Sequence, residues 1–287
     1  MKLRNYFAIA TLAALFASSG AVWAQAPAPM PAPAPAPSAA PVPPAATPAP
    51  PPLNPQAPNA APAAPPVDPA KALANAQKIL QDWANLGRYR DANAQLAPPA
   101  AGETRVVFMG DSITDYWVVR SPETFFQGKP YIDRGISGQT TPQMLVRFRA
   151  DVIALHPKVV VILAGTNDIA GNTGPETLEE IEGYLTSMVE LARANRIRVV
   201  LASLLPVTDA IRPQTVRRPP EKIIALNAWI KDYAKAHHIA YLDYYSAMLD
   251  DHQMLRQDLT IDGLHPNAAG YAVMEPLAEK AIAEALR

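Results

Sequence analysis

The 287-residue chain contains no cysteine. That absence excludes disulfides, thiolate metal sites and thiol catalysis, and it leaves no thiol near the expected cleavage site to carry a lipid anchor. Stability must come from a packed core. Charge is also sparse. Only 18% of residues are Asp, Glu, Lys or Arg, both signs are interspersed, and the net charge is −1. Nothing in that pattern suits nucleic acid or a charged membrane surface. The P-loop lysine motif and G-x-G-x-x-G are both missing, which removes the common phosphate-cradle signatures.

What is present divides the chain in three. Lys2 and Arg4 open it, an apolar stretch runs from Tyr6 to Phe16, and Val22-Trp23-Ala24 gives a small-residue exit. This is the layout of a secretory signal peptide over residues 1–24, with cleavage expected after Ala24. The apolar stretch is far shorter than the roughly 20 residues that span a bilayer, so no stable membrane anchor is expected. The protein is accordingly expected to be exported, to a periplasm or beyond. Residues 25–69 hold 19 prolines and 15 alanines, with Asp68 the sole charge. Such a segment cannot bury a core. It reads as a disordered Pro/Ala-rich linker with polyproline II stiffness, reaching on the order of 140 Å.

Residues 70–287 have the size of one domain. An amphipathic helix opens it, with Leu73, Ala76, Ile79, Leu80 and Trp83 at helical spacing behind the Asp68-Pro69 start signal. Gly87 ends or bends it, and a second short piece covers Tyr89 to Leu96, so that the N-terminal helical region spans 70–97. Strands follow at 105–109, near 131–133 at a sheet edge, at 159–163, 198–202 and 239–242. Helices are expected at about 141–155, 175–195, 220–237 and 267–286. Continuous apolar strands with helical crossovers predict an α/β fold, a three-layer α/β/α sandwich on a five-stranded parallel sheet. In such sheets the reactive groups gather after the carboxyl ends of the strands.

Each of those positions carries a chemically useful residue. Ser112, in Gly110-Asp111-Ser112-Ile113-Thr114, stands at a strand-to-helix turn, which suits a nucleophile but also an ordinary helix cap. Gly138 can bring its backbone N–H close to a ligand, or merely turn a loop. Asn167, in Gly165-Thr166-Asn167-Asp168, can donate an amide hydrogen to a developing oxyanion, or cap a turn. In Asp262-Gly263-Leu264-His265-Pro266-Asn267, His265 is a candidate general base whose Nδ1 hydrogen Asp262 can hold. A metal reading of Asp-x-x-His needs a third ligand, and no further histidine stands at a suitable point.

The ordered set resembles the SGNH hydrolases, also called GDSL esterases and lipases, over about residues 104–286. Ser112, Gly138, Asn167 and His265 match the four blocks, with isoleucine at 113 where the family name has leucine. The resemblance implies a flavodoxin-like SGNH fold. It implies Ser112 as the acyl-accepting nucleophile, His265 as base and then acid, and Asp262 as its orienting partner. It implies an oxyanion hole from the N–H of Ser112, the N–H of Gly138 and the amide of Asn167, with Asp111 and Asp168 bracing the loops. No metal or organic cofactor is implied. The expected substrate is a small-molecule or glycan acyl ester, with a lipase, lysophospholipase or thioesterase as the alternative. A catalytically silent glycan-binding module is the reading from another class. At the rim, Tyr116 and Trp117 beyond the serine turn, and Arg212, Arg217 and Arg218 in the segment Pro206 to Pro220, are candidates for substrate contact.

Overall fold

The computed structural model describes residues 68–287. The expected signal peptide, and the linker up to residue 67, lie outside the described residues. Two helices come first, α1 (Pro69–Gln81) and α2 (Arg90–Gln95). The helical spacing does form a helix, but it ends at Gln81, before Trp83 and before the expected stop at Gly87. Two leucines of its apolar stripe, however, stay outside the core: Leu73 is 60% exposed and Leu80 84%. A helix acquires a buried face only when a neighbour covers it, and periodicity alone does not supply the neighbour.

The sheet consists of β1 (Val106–Gly110), β2 (Tyr131–Gly135), β3 (Val159–Leu163), β4 (Arg198–Ala202) and β5 (Ala240–Leu242). All neighbours pair in parallel, in the order β2-β1-β3-β4-β5. Between them run α3 (Ser112–Arg120), α4 (Thr141–Asp151), the short α5 (Thr166–Ile169), α6 (Leu178–Ala194), α7 (Pro220–Ala236), the short α8 (Tyr244–Ala247) and α9 (Ala268–Leu286). The expected strands and crossover helices are met to within a few residues at their ends.

Alternation along each strand divides the core in two. Val107, Met109, Val160, Ile162, Val199 and Leu201 face Met144 and Phe148 of α4, Ile181 and Leu185 of α6, and Leu226 and Ile230 of α7. Phe108, Val161, Leu163, Val200 and Ala202 face Ile113 and Trp117 of α3 and Tyr271, Met274 and Ile282 of α9. Helices cover both faces, which is why these strands read as continuous apolar runs. The strand order reverses between β1 and β3, so the loops leaving the carboxyl ends of these parallel strands turn to opposite sides of the sheet and open a crevice. The candidate residues stand around that crevice.

Candidate active site

Ser112 begins α3 directly after β1. Asp111 caps that helix: its Oδ1 accepts the N–H of Ile113 at 2.9 Å. Burial pushes the Asp111 carboxyl up to about 6, against the pull of that hydrogen bond and of the Arg218 and Arg147 charges. The loop after β2 delivers Gly138 at φ +81°, a conformation that L side chains resist. Asn167 lies in α5, one residue past the Thr166 that follows Gly165. Asp168 ties the loop after β3 to the start of α4, accepting the Thr141 N–H at 2.8 Å and the Thr141 hydroxyl at 2.5 Å.

His265 comes from the loop before α9, more than 150 positions from Ser112, and the two meet. Ser112 Oγ lies 2.9 Å from His265 Nε2, and His265 Nδ1 lies 2.8 Å from Asp262 Oδ2. The second Asp262 oxygen, Oδ1, accepts the N–H groups of Leu264 at 3.1 Å and His265 at 2.9 Å. Burial alone would raise the Asp262 carboxyl, but the hydrogen bonds from the His265 backbone and ring bring it below its ordinary value. Burial holds the His265 imidazole below its own ordinary value; Asp262 opposes that shift, while the positive charges of Arg120 and Arg218 add to it. A neutral imidazole beside a hydroxyl, with a carboxylate behind it, can accept the hydroxyl proton as the oxygen attacks an electrophile. Among the described residues, no three His, Cys, Asp or Glu side chains group as metal ligands.

The Asn167 amide is oriented from both sides. Its Nδ2 donates to the Gln139 carbonyl at 3.0 Å, and its Oδ1 accepts from Arg218 Nη2 at 3.1 Å. Asn172, in the same loop, donates from Nδ2 to the Gly138 carbonyl at 3.0 Å and accepts from Arg217 Nη2 at 2.9 Å.

Two of the rim candidates are corrected by these contacts. Trp117 is 2% exposed and stacks on Tyr271 inside the core. Successive helical residues point about 100° apart, so Trp117 turns inward while Tyr116 turns to the crevice. There the Tyr116 ring centroid lies 5.0 Å from that of His265. Arg218 is 6% exposed, with donors directed to Thr166, Asn167 and Gln214 rather than to solvent. Arg217 is exposed but bonded to Ala170 and Asn172. Arg212 is exposed.

Several side chains around the site carry no local signal in the sequence. Arg120 covers the outer face of the Tyr116 ring, its guanidinium 3.8 Å from the centroid. Gln214 Nε2 donates to the Asp262 carbonyl at 3.1 Å. Asp115 accepts from the Ser137 hydroxyl at 2.6 Å, fastening the Gly138 loop to α3.

The chain matches the family model of the GDSL-like lipase/acylhydrolase family over residues 108–273. Among solved structures it is similar to a GDSL-like lipase of Bacteroides thetaiotaomicron, at 48% identity and TM-score 0.66 over 70% of this chain and 98% of that one. A candidate acylhydrolase of Bacteroides fragilis is also 48% identical, with TM-score 0.67 over 72% of this chain and 99% of that one. An acetylxylan esterase of Geobacillus stearothermophilus shares the fold at 22% identity and TM-score 0.51, over 66% of this chain and 96% of that one. The uncharacterized lipoprotein YqeF of Bacillus subtilis is 31% identical over 81 residues, which are 27% of this chain; the chain spans only 33% of the length of that curated relative. With more than half of its length matched by the family model and the fold shared with the Bacteroides and Geobacillus structures, the chain belongs to the GDSL-like lipase/acylhydrolase family and is a hydrolase.

Proposed function

We propose that the protein is an exported serine carboxylesterase that removes short acyl groups, acetyl above all, from a polar alcohol such as a glycan. The observation that carries the esterase reading is the unbroken relay of 2.9 Å and 2.8 Å from Ser112 through His265 to Asp262. Ser112 Oγ attacks the ester carbonyl carbon while His265 Nε2 takes its proton. The resulting oxyanion receives hydrogen bonds from the N–H groups of Ser112 and Gly138 and from Asn167 Nδ2. His265 then returns the proton to the departing alkoxide, leaving an acyl-serine. Water, activated by His265 in turn, releases the acid.

A cavity of about 700 Å³ beside Gly138 supports a polar substrate. Trp83 and Ile136 line it together with Asp82, Asn85, Gln139, Gln143 and the Asn172–Thr173 pair. This mixed lining, with Trp83 and Ile136 among amides and hydroxyls, fits a sugar ring, whose faces are apolar and whose edges are polar. Arg212 is exposed, and its backbone lies beside Gly263 in the loop that carries Asp262 and His265, where it adds a positive charge. Export rests on the basic, apolar and small-residue layout of residues 1–24.

Two measurements test the reading. Ser112→Ala and His265→Ala should each lower kcat on p-nitrophenyl acetate by roughly 10⁶, and the double variant should be little worse, because the two act as a unit. Retention of a tenth of the activity by Ser112→Ala, or failure of the wild type to react with a fluorophosphonate, would overturn the esterase mechanism. The acyl series from acetate through butyrate and octanoate to palmitate tests the substrate class. A complementary apolar groove gains roughly 0.8 kcal/mol per methylene, so a long-chain enzyme would climb about tenfold per two carbons. We expect the maximum at acetate. A maximum at octanoate or beyond would point instead to a lipase or lysophospholipase.

A further inference from the structure

Arg218 has no place in the proton relay, yet it is buried where burial is costly. An arginine can only donate hydrogen bonds and keeps its charge, so a guanidinium is withdrawn from water only where acceptors meet it. Here three acceptors do. Nε donates to Thr166 Oγ1 at 3.2 Å, Nη2 to Asn167 Oδ1 at 3.1 Å, and Nη1 to Gln214 Oε1 at 3.2 Å. Gln214 in turn donates from Nε2 to the carbonyl of Asp262 at 3.1 Å. One side chain from the segment between β4 and α7 thus connects the loop after β3 with the loop that carries Asp262 and His265.

The consequence for Asn167 is chemical. An asparagine amide can rotate by half a turn and exchange its oxygen and nitrogen with little change in shape. A donor-only partner at 3.1 Å removes that freedom, since Nδ2 facing a guanidinium would set donor against donor. With Oδ1 fixed on Arg218, one Nδ2 hydrogen goes to the Gln139 carbonyl at 3.0 Å and the other is left for the crevice. The adjacent Arg217 repeats the device at the rim: it holds Asn172 Oδ1 at 2.9 Å, and Asn172 Nδ2 holds the Gly138 carbonyl at 3.0 Å.

We propose that Arg218 is a positioning residue of the esterase reaction, which locks the Asn167 amide with its nitrogen toward the oxyanion and, through Gln214, keeps that donor in register with the Asp262–His265 loop. The inference rests on the reading of Asn167 as an oxyanion donor. It concerns the transition state more than substrate binding, because the free Nδ2 hydrogen matters most when negative charge develops on the carbonyl oxygen.

A double-mutant cycle tests it. Arg218→Ala, Asn167→Ala and the double variant are compared with the wild type on p-nitrophenyl acetate, with kcat taken on its high-pH plateau so that a shift in His265 does not contribute. Asn167→Ala should lower kcat by about 10²–10³. Arg218→Ala should lower kcat by at least about 10-fold with KM changed less than about threefold, and should add almost nothing in the Asn167→Ala background. Arg218→Lys, which keeps one donor for Oδ1 but loses the fork, should fall between Arg218→Ala and the wild type. That variant carries the same cycle if Arg218→Ala does not fold. If the Arg218 loss multiplies undiminished onto Asn167→Ala, or falls on KM alone, Arg218 is merely structural and the proposal is overturned. If Asn167→Ala itself leaves kcat unchanged, the oxyanion reading fails and takes the proposal with it.

Discussion

His265 is flanked by unlike groups. On one side Asp262 accepts its Nδ1 hydrogen; on the other its ring meets Tyr116, whose outer face is covered by Arg120. The proposed base works only as the neutral imidazole, so activity rises with pH through the His265 pKa. Burial, Arg120 and Arg218 all lower that pKa against Asp262, which extends activity toward acid. Arg120→Ala removes one positive charge, so the pKa rises and the acid limb of kcat/KM moves to higher pH. Because Arg120 is exposed, the displacement should shrink as salt is added. A pH profile at low and high ionic strength checks both parts; a limb displaced toward acid would contradict the argument. Arg120 carries no signal in the sequence, and Arg218 stands out there only as a rim residue for substrate, not as the buried partner of Asn167. Ser112, Gly138, Asn167 and His265 could be selected because each follows a strand or opens the last helix. The two arginines act through loops that meet only after folding, and nothing local separates them from solvated arginines.

At the scale of elements, the sheet was legible because both of its faces are covered. Val159–Leu163 is apolar throughout and became the central strand, whereas Tyr131–Gly135, with its half-buried polar residues, became an edge. The stripe of α1 misled because its period reports a face without saying what covers it. The loop from Asp262 to His265 depends on a glycine for a reason the motif alone does not give. Gly263 has φ +89°, and a Cβ there would collide with the Thr208 carbonyl oxygen. The Thr208 N–H in turn donates to the Gly263 carbonyl at 2.9 Å. Gly263→Ala therefore strains the backbone by roughly 1–2 kcal/mol and pushes the loop outward. A displacement of about 1 Å at the base is expected to cost on the order of 10² in kcat. Gly183, inside α6 with open space around its Cα, is the control: Gly183→Ala should leave kcat unchanged and stabilise the helix by about 1 kcal/mol. Kinetics and thermal melting of the two variants would separate the loop from a general intolerance of alanine.

At the scale of the whole molecule, residues 82–97 lie before the matched family region and yet hold the Gly138 loop. Gln139 Nε2 donates to the Ala84 carbonyl at 2.7 Å and Gln143 Nε2 to the Trp83 carbonyl at 2.6 Å. The Tyr89 hydroxyl donates to the Gly135 carbonyl. Asn93 Oδ1 accepts from the buried Arg134 at 2.9 and 2.7 Å, while its Nδ2 donates to Asp151 at 2.7 Å. These contacts argue that the stretch supports the proposed site, whereas the Pro/Ala-rich composition of residues 25–69 argues for a spacer. Two shortened chains distinguish the roles. One beginning at Pro69 should keep kcat/KM on p-nitrophenyl acetate within about twofold of the mature form, and a tenfold loss would give the spacer a part in turnover. One beginning at residue 98 would leave the Arg134 guanidinium without Asn93 and the Gly138 loop without its backing. Each hydrogen bond lost with the segment costs roughly 0.5–1.5 kcal/mol, so their joint loss is a large share of the roughly 5–15 kcal/mol that stabilises an ordinary domain. That shorter chain should melt well below the first and lose most of its activity. Asn93→Ala in the intact chain should reproduce part of the destabilisation, and equal melting temperatures for all three would refute the assignment.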